Sequence, residues 1–147
     1  MKLILNKKYN PLFSSDARYF IITGGRGSGK SFAVTVFLTL LTMTKGIRIL
    51  FTRYTMTSAH LSIIPEFLEK IGLLGFDEVF SINKAEVVNT SNQSDILFRG
   101  IRTSAGNQTA SLKSLQGIST WVLDEAEELV DENIFDTIDL SIREKNI

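Results

Sequence analysis

Tyr19 to Ser31 reads YFIITGGRGSGKS, and the order of residue types in this stretch decides the fold. Tyr19 to Thr23 is a short apolar, β-rich run of the kind that forms a buried strand. Gly24 to Ser31, GGRGSGKS, satisfies G-x-x-x-x-G-K-[ST], the form of a phosphate-binding loop (P-loop) that follows a strand and opens a helix. Ser31 to Thr44 supplies that helix. It is apolar on nearly every face, too long for a typical strand and stopped by Gly46, so it is expected to be largely buried. Arg48 to Thr52 predicts a second strand. A β–loop–α–β order, with a crossover helix between apolar strands, predicts an α/β fold with a mostly parallel sheet flanked by helices.

Working outward, a helix is expected from about Ser58 to Ile71, kinked or begun at Pro65, with Gly72 and Gly75 marking its end. Glu86 to Asn89 and Asp95 to Arg99 flank the polar stretch TSNQS and predict an antiparallel hairpin at a sheet edge. Ser119 to Leu123 (STWVL) is a further apolar strand that runs into acids. Asp131 is placed to cap a last helix, whose Ile134, Phe135, Ile138 and Ile142 recur at helical spacing. No repeat, low-complexity tract or linker interrupts the chain, so residues 1–147 read as one continuous domain.

Composition narrows the chemistry. The chain has 147 residues, 44% hydrophobic and 22% charged, which is ordinary for a folded globular protein and far from the signature of disorder. It has no cysteine, which excludes disulfides, thiolate metal sites and a cysteine nucleophile, and the single His60 cannot build a histidine cluster. MKLILNKKYN is too short in its apolar part for a secretion signal, and Phe32 to Met43 falls well below the roughly 18 residues that cross a bilayer. A soluble, cytoplasmic protein with no membrane partner is expected. Sixteen Lys and Arg balance sixteen Asp and Glu, yet residues 1–53 hold nine basic residues and one acid, Asp16. Anions are therefore expected near the first third of the chain.

The glycine loop specifies that anion. Gly25, Gly27 and Gly29 let the backbone turn its N–H groups inward around β- and γ-phosphates, with Gly24, Arg26 and Ser28 completing the loop and the helix dipole aimed at the charge. Lys30 places a flexible cation on the β/γ oxygens, and the Ser31 hydroxyl has the reach to coordinate Mg2+. Arg26 has two readings: an arginine finger that neutralises transition-state charge in cis, or a cation facing solvent or DNA, the finger then coming in trans from a neighbouring subunit.

The strand WVL runs into Asp124-Glu125-Ala126-Glu127-Glu128, the form of a Walker B element. Parallel strands of one sheet end at the same edge, which would bring these acids toward the glycine loop. Asp124 would hold Mg2+ opposite Ser31, and Glu125 would orient or deprotonate the attacking water. The Asp-Glu pair points to hydrolysis, and it lacks the Asp-x-x-Gly ending of a GTPase. Glu127, Glu128, Asp131, Glu132, Asp136 and Asp139 read as a solvated acidic helix face, Trp121 as core, and His60 as a residue without a catalytic role.

These residues resemble the amino-terminal ATPase domain of the large terminase subunit of tailed bacteriophages. RYFIITGGRGSGKS, with arginine inside the loop, is similar to that family's Walker A segment, and LKSLQGISTWVLDEAEEL to its approach to Walker B; the likeness spans most of the chain. The resemblance implies an additional-strand P-loop ATPase, RecA- and terminase-like, with ATP and Mg2+ as ligands. It also implies double-stranded DNA as the translocated substrate, a portal protein and small terminase subunit as partners, and a homo-oligomeric motor in the host cytoplasm. By position it makes Gly24, Gly29, Lys30 and Ser31 the phosphate and Mg2+ ligands, Arg26 the loop arginine, Asp124 the metal acid and Glu125 the catalytic glutamate. Arg53, Lys113 and Ser114 also fall in family-like segments.

The same resemblance sets expectations about what lies outside these 147 residues. In the family a further strand, carrying a coupling motif, inserts between the loop strand and the Walker B strand, and a nuclease domain follows. Neither is expected here, so the domain reads as partial, with exposed apolar surface beside the gap and no DNA cleavage by this chain. The adenine contact has no assigned residue, although Tyr9 to Tyr19 is placed to cover the base. Two other readings compete. A superfamily 2 helicase shares DEAE at 124–127 and a segment like FTRYT, while a nucleotide-binding fragment without turnover needs only the loop and the helix end.

Overall fold

The computed structural model describes residues 3–44, 46–56, 59–103, 106–107, 112 and 115–142. Its elements in chain order are α1 (Pro11–Ser14), α2 (Lys30–Leu41), β1 (Arg48–Thr55), α3 (Ala59–Leu74), β2 (Phe80–Ile82), β3 (Glu86–Asn89), β4 (Asp95–Thr103), β5 (Gly106–Asn107), β6 (Thr120–Leu123) and α4 (Glu132–Asp139), with 3-10 turns at Lys7–Tyr9 and Ala126–Glu128. The strands form one mixed sheet in the order β2-β3-β4-β1-β6, with β5 paired to β4. β1 lies between β4 and β6 and is parallel to both, whereas β2, β3 and β5 join antiparallel.

The parallel centre explains why Ile49, Leu50 and Phe51 of β1 follow one another without alternation, since both faces of the strand are covered there. Ile49 and Phe51, in register with Ile96 and Phe98, pack under α2 and α3 against Leu38, Ile63, Phe67 and Ile71. Phe51, Phe67 and Phe98 meet with ring centroids 5.4–6.0 Å apart. On the opposite face Leu50 and Leu97 pack with Ile101, Ile118 and Ile138 of α4.

Helix ends follow local chemistry. α2 finishes at Leu41, and the Thr42 carbonyl accepts from Asn89 Nδ2 (3.2 Å) and Asn92 Nδ2 (3.0 Å), so the β3–β4 turn satisfies an orphan helix carbonyl. α3 runs through Pro65 and closes where Phe76 N donates to Ile71 O and Gly75 N to Gly72 O, a Schellman arrangement. Asp131 caps α4 as expected, its carboxylate accepting from Asn133 N at 2.9 Å. The predicted hairpin forms as β3–β4, and β2 carries the antiparallel side out to the edge.

One expected strand does not form. Residues 19–23 pair with no strand, and Ile21 is 90% exposed. An apolar β-rich run becomes a strand only where a neighbour accepts its backbone groups. β6 ends the strand path, and residues 19–23 do not pair with its outer edge, so the run stays unladdered. Among the described residues no helix is long and apolar enough to cross a membrane.

Candidate functional site

Residues 24–29 form the turn that delivers the chain into α2. Gly29 sits at the helix amino end with φ 80°, a left-handed conformation that side chains disfavour, and Lys30 is the first helical residue. A hollow of about 280 Å³ opens above this turn, lined by residues 25–32. Lys30 folds back over it: Nζ donates to the carbonyls of Gly24 and Gly25, the latter at 3.0 Å, and to Ser28 Oγ at 3.3 Å. The ammonium therefore sits in the loop's own concavity, where backbone oxygens take up its donors. Arg26 and Ser31 are exposed, and Arg26 makes no hydrogen bond or ion pair with another described residue.

Two contacts fix the loop from outside. Tyr9, buried at 6% exposure, donates its hydroxyl to the Ser28 carbonyl at 2.8 Å and lays its ring near Gly29. Phe13 of α1 meets Phe37 of α2 edge to face at 5.2 Å, which holds the amino-terminal turn against the helix. Further along, Tyr19 donates to Asp139 Oδ2 at 3.0 Å, and Arg18 reaches the same carboxylate at 3.5 Å. The segment before the loop is thus tied to α4, and Asp139 is an anchor as well as part of an acidic face.

The acids gather at the carboxyl ends of β1 and β6. Asp124 N donates to Thr52 O at 2.9 Å, which extends the ladder by one residue and sets Asp124 beside Arg53. Arg53 Nε donates to Asp124 Oδ2 at 2.7 Å, and its Nη2 lies 3.8 Å from Glu125 Oε1. Glu125 has φ 51° and ψ 51°, a left-handed backbone that costs a non-glycine residue about 1–2 kcal/mol. Arg53 is the strongest influence on the Glu125 carboxyl and pulls its pKa down. Burial, a hydrogen bond with Glu128 and the charges of Asp124 and Glu128 together outweigh it, so the carboxyl stands above the ordinary glutamate value. Beneath the acids Trp121 stacks on Phe135 with centroids 5.1 Å apart, and its Nε1 donates to Thr52 Oγ1 at 2.8 Å, a packing role.

The structure thus brings Gly24, Gly25, Arg26, Gly27, Ser28, Gly29, Lys30 and Ser31 into one loop, and Asp124 and Glu125 to one strand end. Among the described residues no hydrogen bond or ion pair joins the two groups. Glu128 is exposed, as a solvated acid should be, but it stands in a separate 3-10 turn, Ala126–Glu128, ahead of α4, where it acts on the Glu125 carboxyl. Tyr9 was legible only as part of a segment near the loop, because a tyrosine nineteen residues from its partner carries no spacing signal. Lys113 and Ser114 lie outside the described residues, as does the side chain of His60. Among the described residues no group of three or more His, Asp or Glu side chains could hold a metal ion unaided.

A sequence profile of the phage terminase large subunit matches residues 16–147, nearly the whole chain. The chain belongs to the phage terminase large-subunit family. That membership supports a packaging-motor role, and it implies DNA and components of a packaging complex as partners in general terms. A search of curated proteins finds no match. The terminase profile begins just before the glycine loop and runs through the acids of β6, so both halves of the site lie inside it.

Proposed function

We propose that this chain is the ATP-binding and hydrolysing motor domain of a phage terminase large subunit, which powers packaging of double-stranded DNA into a prohead. The observation that carries the reading is the glycine loop at the amino end of α2, with Lys30 held in its concavity. Inward N–H groups, a helix dipole and one mobile ammonium are what a polyphosphate needs. Lys30 would exchange the loop carbonyls for phosphate oxygens, a stronger pairing for an ammonium.

Ser31 and Asp124 supply a hydroxyl and a carboxylate, hard oxygen donors suited to Mg2+, which when bound would neutralise phosphate charge. Glu125 is the proton acceptor for the attacking water, a role typically worth about 10²- to 10⁴-fold in rate. Arg26, exposed on the loop, is free to meet the γ-phosphate in cis or to face DNA or a neighbouring copy. Double-stranded DNA, a portal protein, the small terminase subunit and further copies of the same chain are the proposed partners. The family membership favours this reading over a helicase.

A second reading is nucleotide binding without turnover by these 147 residues taken alone, since among the described residues no hydrogen bond or ion pair joins the loop to the acids. The two are separated by a simple experiment. Titration of Mg2+-ATP into the chain should show binding that Lys30→Ala abolishes, while Glu125→Gln should keep binding and lose hydrolysis in the full-length gene product. Binding that survives Lys30→Ala would sink the proposal. DNA affinity should fall steeply with salt if contact is to the phosphate backbone.

A further inference from the structure

We infer that Arg53 is a positioning residue for hydrolysis: from the end of β1 it holds Asp124 and Glu125 of the neighbouring strand end in a common orientation toward the nucleotide. The inference rests on the ATPase reading above and extends it to a residue outside both motifs.

In an extended strand two consecutive side chains point to opposite faces, so adjacent acids would not share a partner. Here they do. The left-handed backbone at Glu125 turns the chain after β6, and the carboxylates of Asp124 and Glu125 converge on one guanidinium, 2.7 Å from Nε and 3.8 Å from Nη2. A disfavoured backbone conformation persists only where its surroundings over-determine it, and Arg53 is the cation among those surroundings. The neighbour of Arg53 in register on β4 is Gly100, which offers no side chain to compete for the guanidinium on that flank. On the other flank the ladder runs on through Asp124 N to Thr52 O, so the strand that presents Arg53 also fixes the backbone of its partner.

The chemistry needs arginine specifically. Nε and Nη2 are held at a fixed spacing in one rigid plane, which lets one residue hydrogen-bond Asp124 and pair by charge with Glu125, whereas a lysine ammonium supplies charge without that fixed fork. The Nε contact uses Oδ2 of Asp124, which leaves Oδ1 for other ligands. A residue that merely neutralised two acids would stabilise the fold and be replaceable by lysine. A residue that aims the general base would act on the rate of hydrolysis and leave nucleotide affinity to the loop.

The test is steady-state ATP hydrolysis by the full-length gene product carrying Arg53→Ala, Arg53→Lys or Arg53→Gln, with a thermal melt of each and Mg2+-ATP binding measured beside Lys30→Ala. Misplacing a catalytic group by about 1 Å costs about 10²-fold, so kcat should fall by about that factor in Arg53→Ala and Arg53→Gln. Arg53→Lys should stay at least about tenfold down, and KM for ATP should stay within about threefold of the parent. Should the alanine variant fail to fold, the glutamine variant carries the same expectation. A kcat kept within about threefold in the folded variants, or restored by lysine, overturns the inference, as does a loss confined to KM. If Mg2+-ATP binding does not depend on Lys30, the ATPase reading itself falls and takes the inference with it; Lys30-dependent binding with an unchanged kcat at position 53 defeats the inference alone.

Discussion

Tyr9→Phe removes one oxygen from a buried side chain and should weaken Mg2+-ATP binding without unfolding the protein. The Tyr9 hydroxyl donates to the Ser28 carbonyl at 2.8 Å, and the remaining ring still packs near Gly29. A single neutral hydrogen bond contributes about 1 kcal/mol net. Where that energy appears depends on what else holds the loop. Inside it, Ser28 N donates to Gly25 O at 3.3 Å, a long bond, and Lys30 holds the Gly24 and Gly25 carbonyls. Lys30 has to leave those carbonyls to reach a phosphate, so the Tyr9 tether is the hydrogen bond that stays when nucleotide arrives. Without it the free loop samples other shapes, and ordering it is charged against binding. A loss of about 1 kcal/mol corresponds to a Kd weakened about fivefold. Isothermal titration of Mg2+-ATP into parent and variant measures it, with Lys30→Ala as the non-binding control and a thermal melt to confirm folding. A Kd within twofold of the parent would show that the loop is ordered without Tyr9 and would refute the reasoning.

Other expectations follow the same contacts. Phe67→Ala, at 1% exposure and in ring contact with both Phe51 and Phe98, should cost about 3–5 kcal/mol in urea denaturation; a cost under about 1 kcal/mol would mean the core under α3 is not packed as described. Gly24→Ala places a Cβ 2.9 Å from Ser28 Oγ at φ 150°, so the Ser28 side chain that Lys30 bonds must shift and nucleotide affinity should fall; Gly25→Ala meets nothing within 4 Å and should melt with the parent. Equal affinities for the two alanine variants would count against the loop geometry. For the metal-free chain, Glu125 holds its proton in the folded state above the ordinary 4.5, so the folded form binds more protons than the unfolded one over that window. Stability then declines as pH rises through it, and Glu125→Gln lacks that decline, so its advantage in melting temperature should grow from about pH 4 to about pH 7. Parallel profiles in EDTA would show that Glu125 is not perturbed.

What the sequence shows plainly is what depends on neighbours in the chain. The loop, the helix it opens, the cap at Asp131 and the acids after β6 are local patterns, and each stands where its spacing puts it. Residues 19–23 show the limit. Their composition is that of a buried strand, but a strand is a relation between two segments, and pairing is a property of the sheet order, which no window of five residues contains. Glu128 shows a related limit. It is exposed, as read, yet the left-handed turn at Glu125 breaks the helical register and sets it in a 3-10 turn of its own, near the Glu125 carboxyl.

Tyr9 and Arg53 share one character. Neither belongs to the glycine loop or to the acids after β6, and each holds a residue of one of them through a contact with a segment far along the chain: Tyr9 the Ser28 carbonyl, Arg53 the acids after β6. Groups that touch a ligand are constrained to fixed spacings because the ligand has one size, so glycine, lysine, serine and aspartate line up in a recognisable string. A group that holds another in place has only to arrive from somewhere in the fold, and its position in the chain is set by whichever element ends nearby. Arg53 is at the end of β1 because β1 lies beside β6, and Tyr9 is in the first turn because that turn packs on α2 through Phe13 and Phe37. The two halves of the site are therefore held by different parts of the molecule, the loop by the amino-terminal turn and the acids by the central strand. Loss of Tyr9 should then appear in affinity and loss of Arg53 in rate, and a double variant should show the two effects independently, since no described contact joins the residues that carry them.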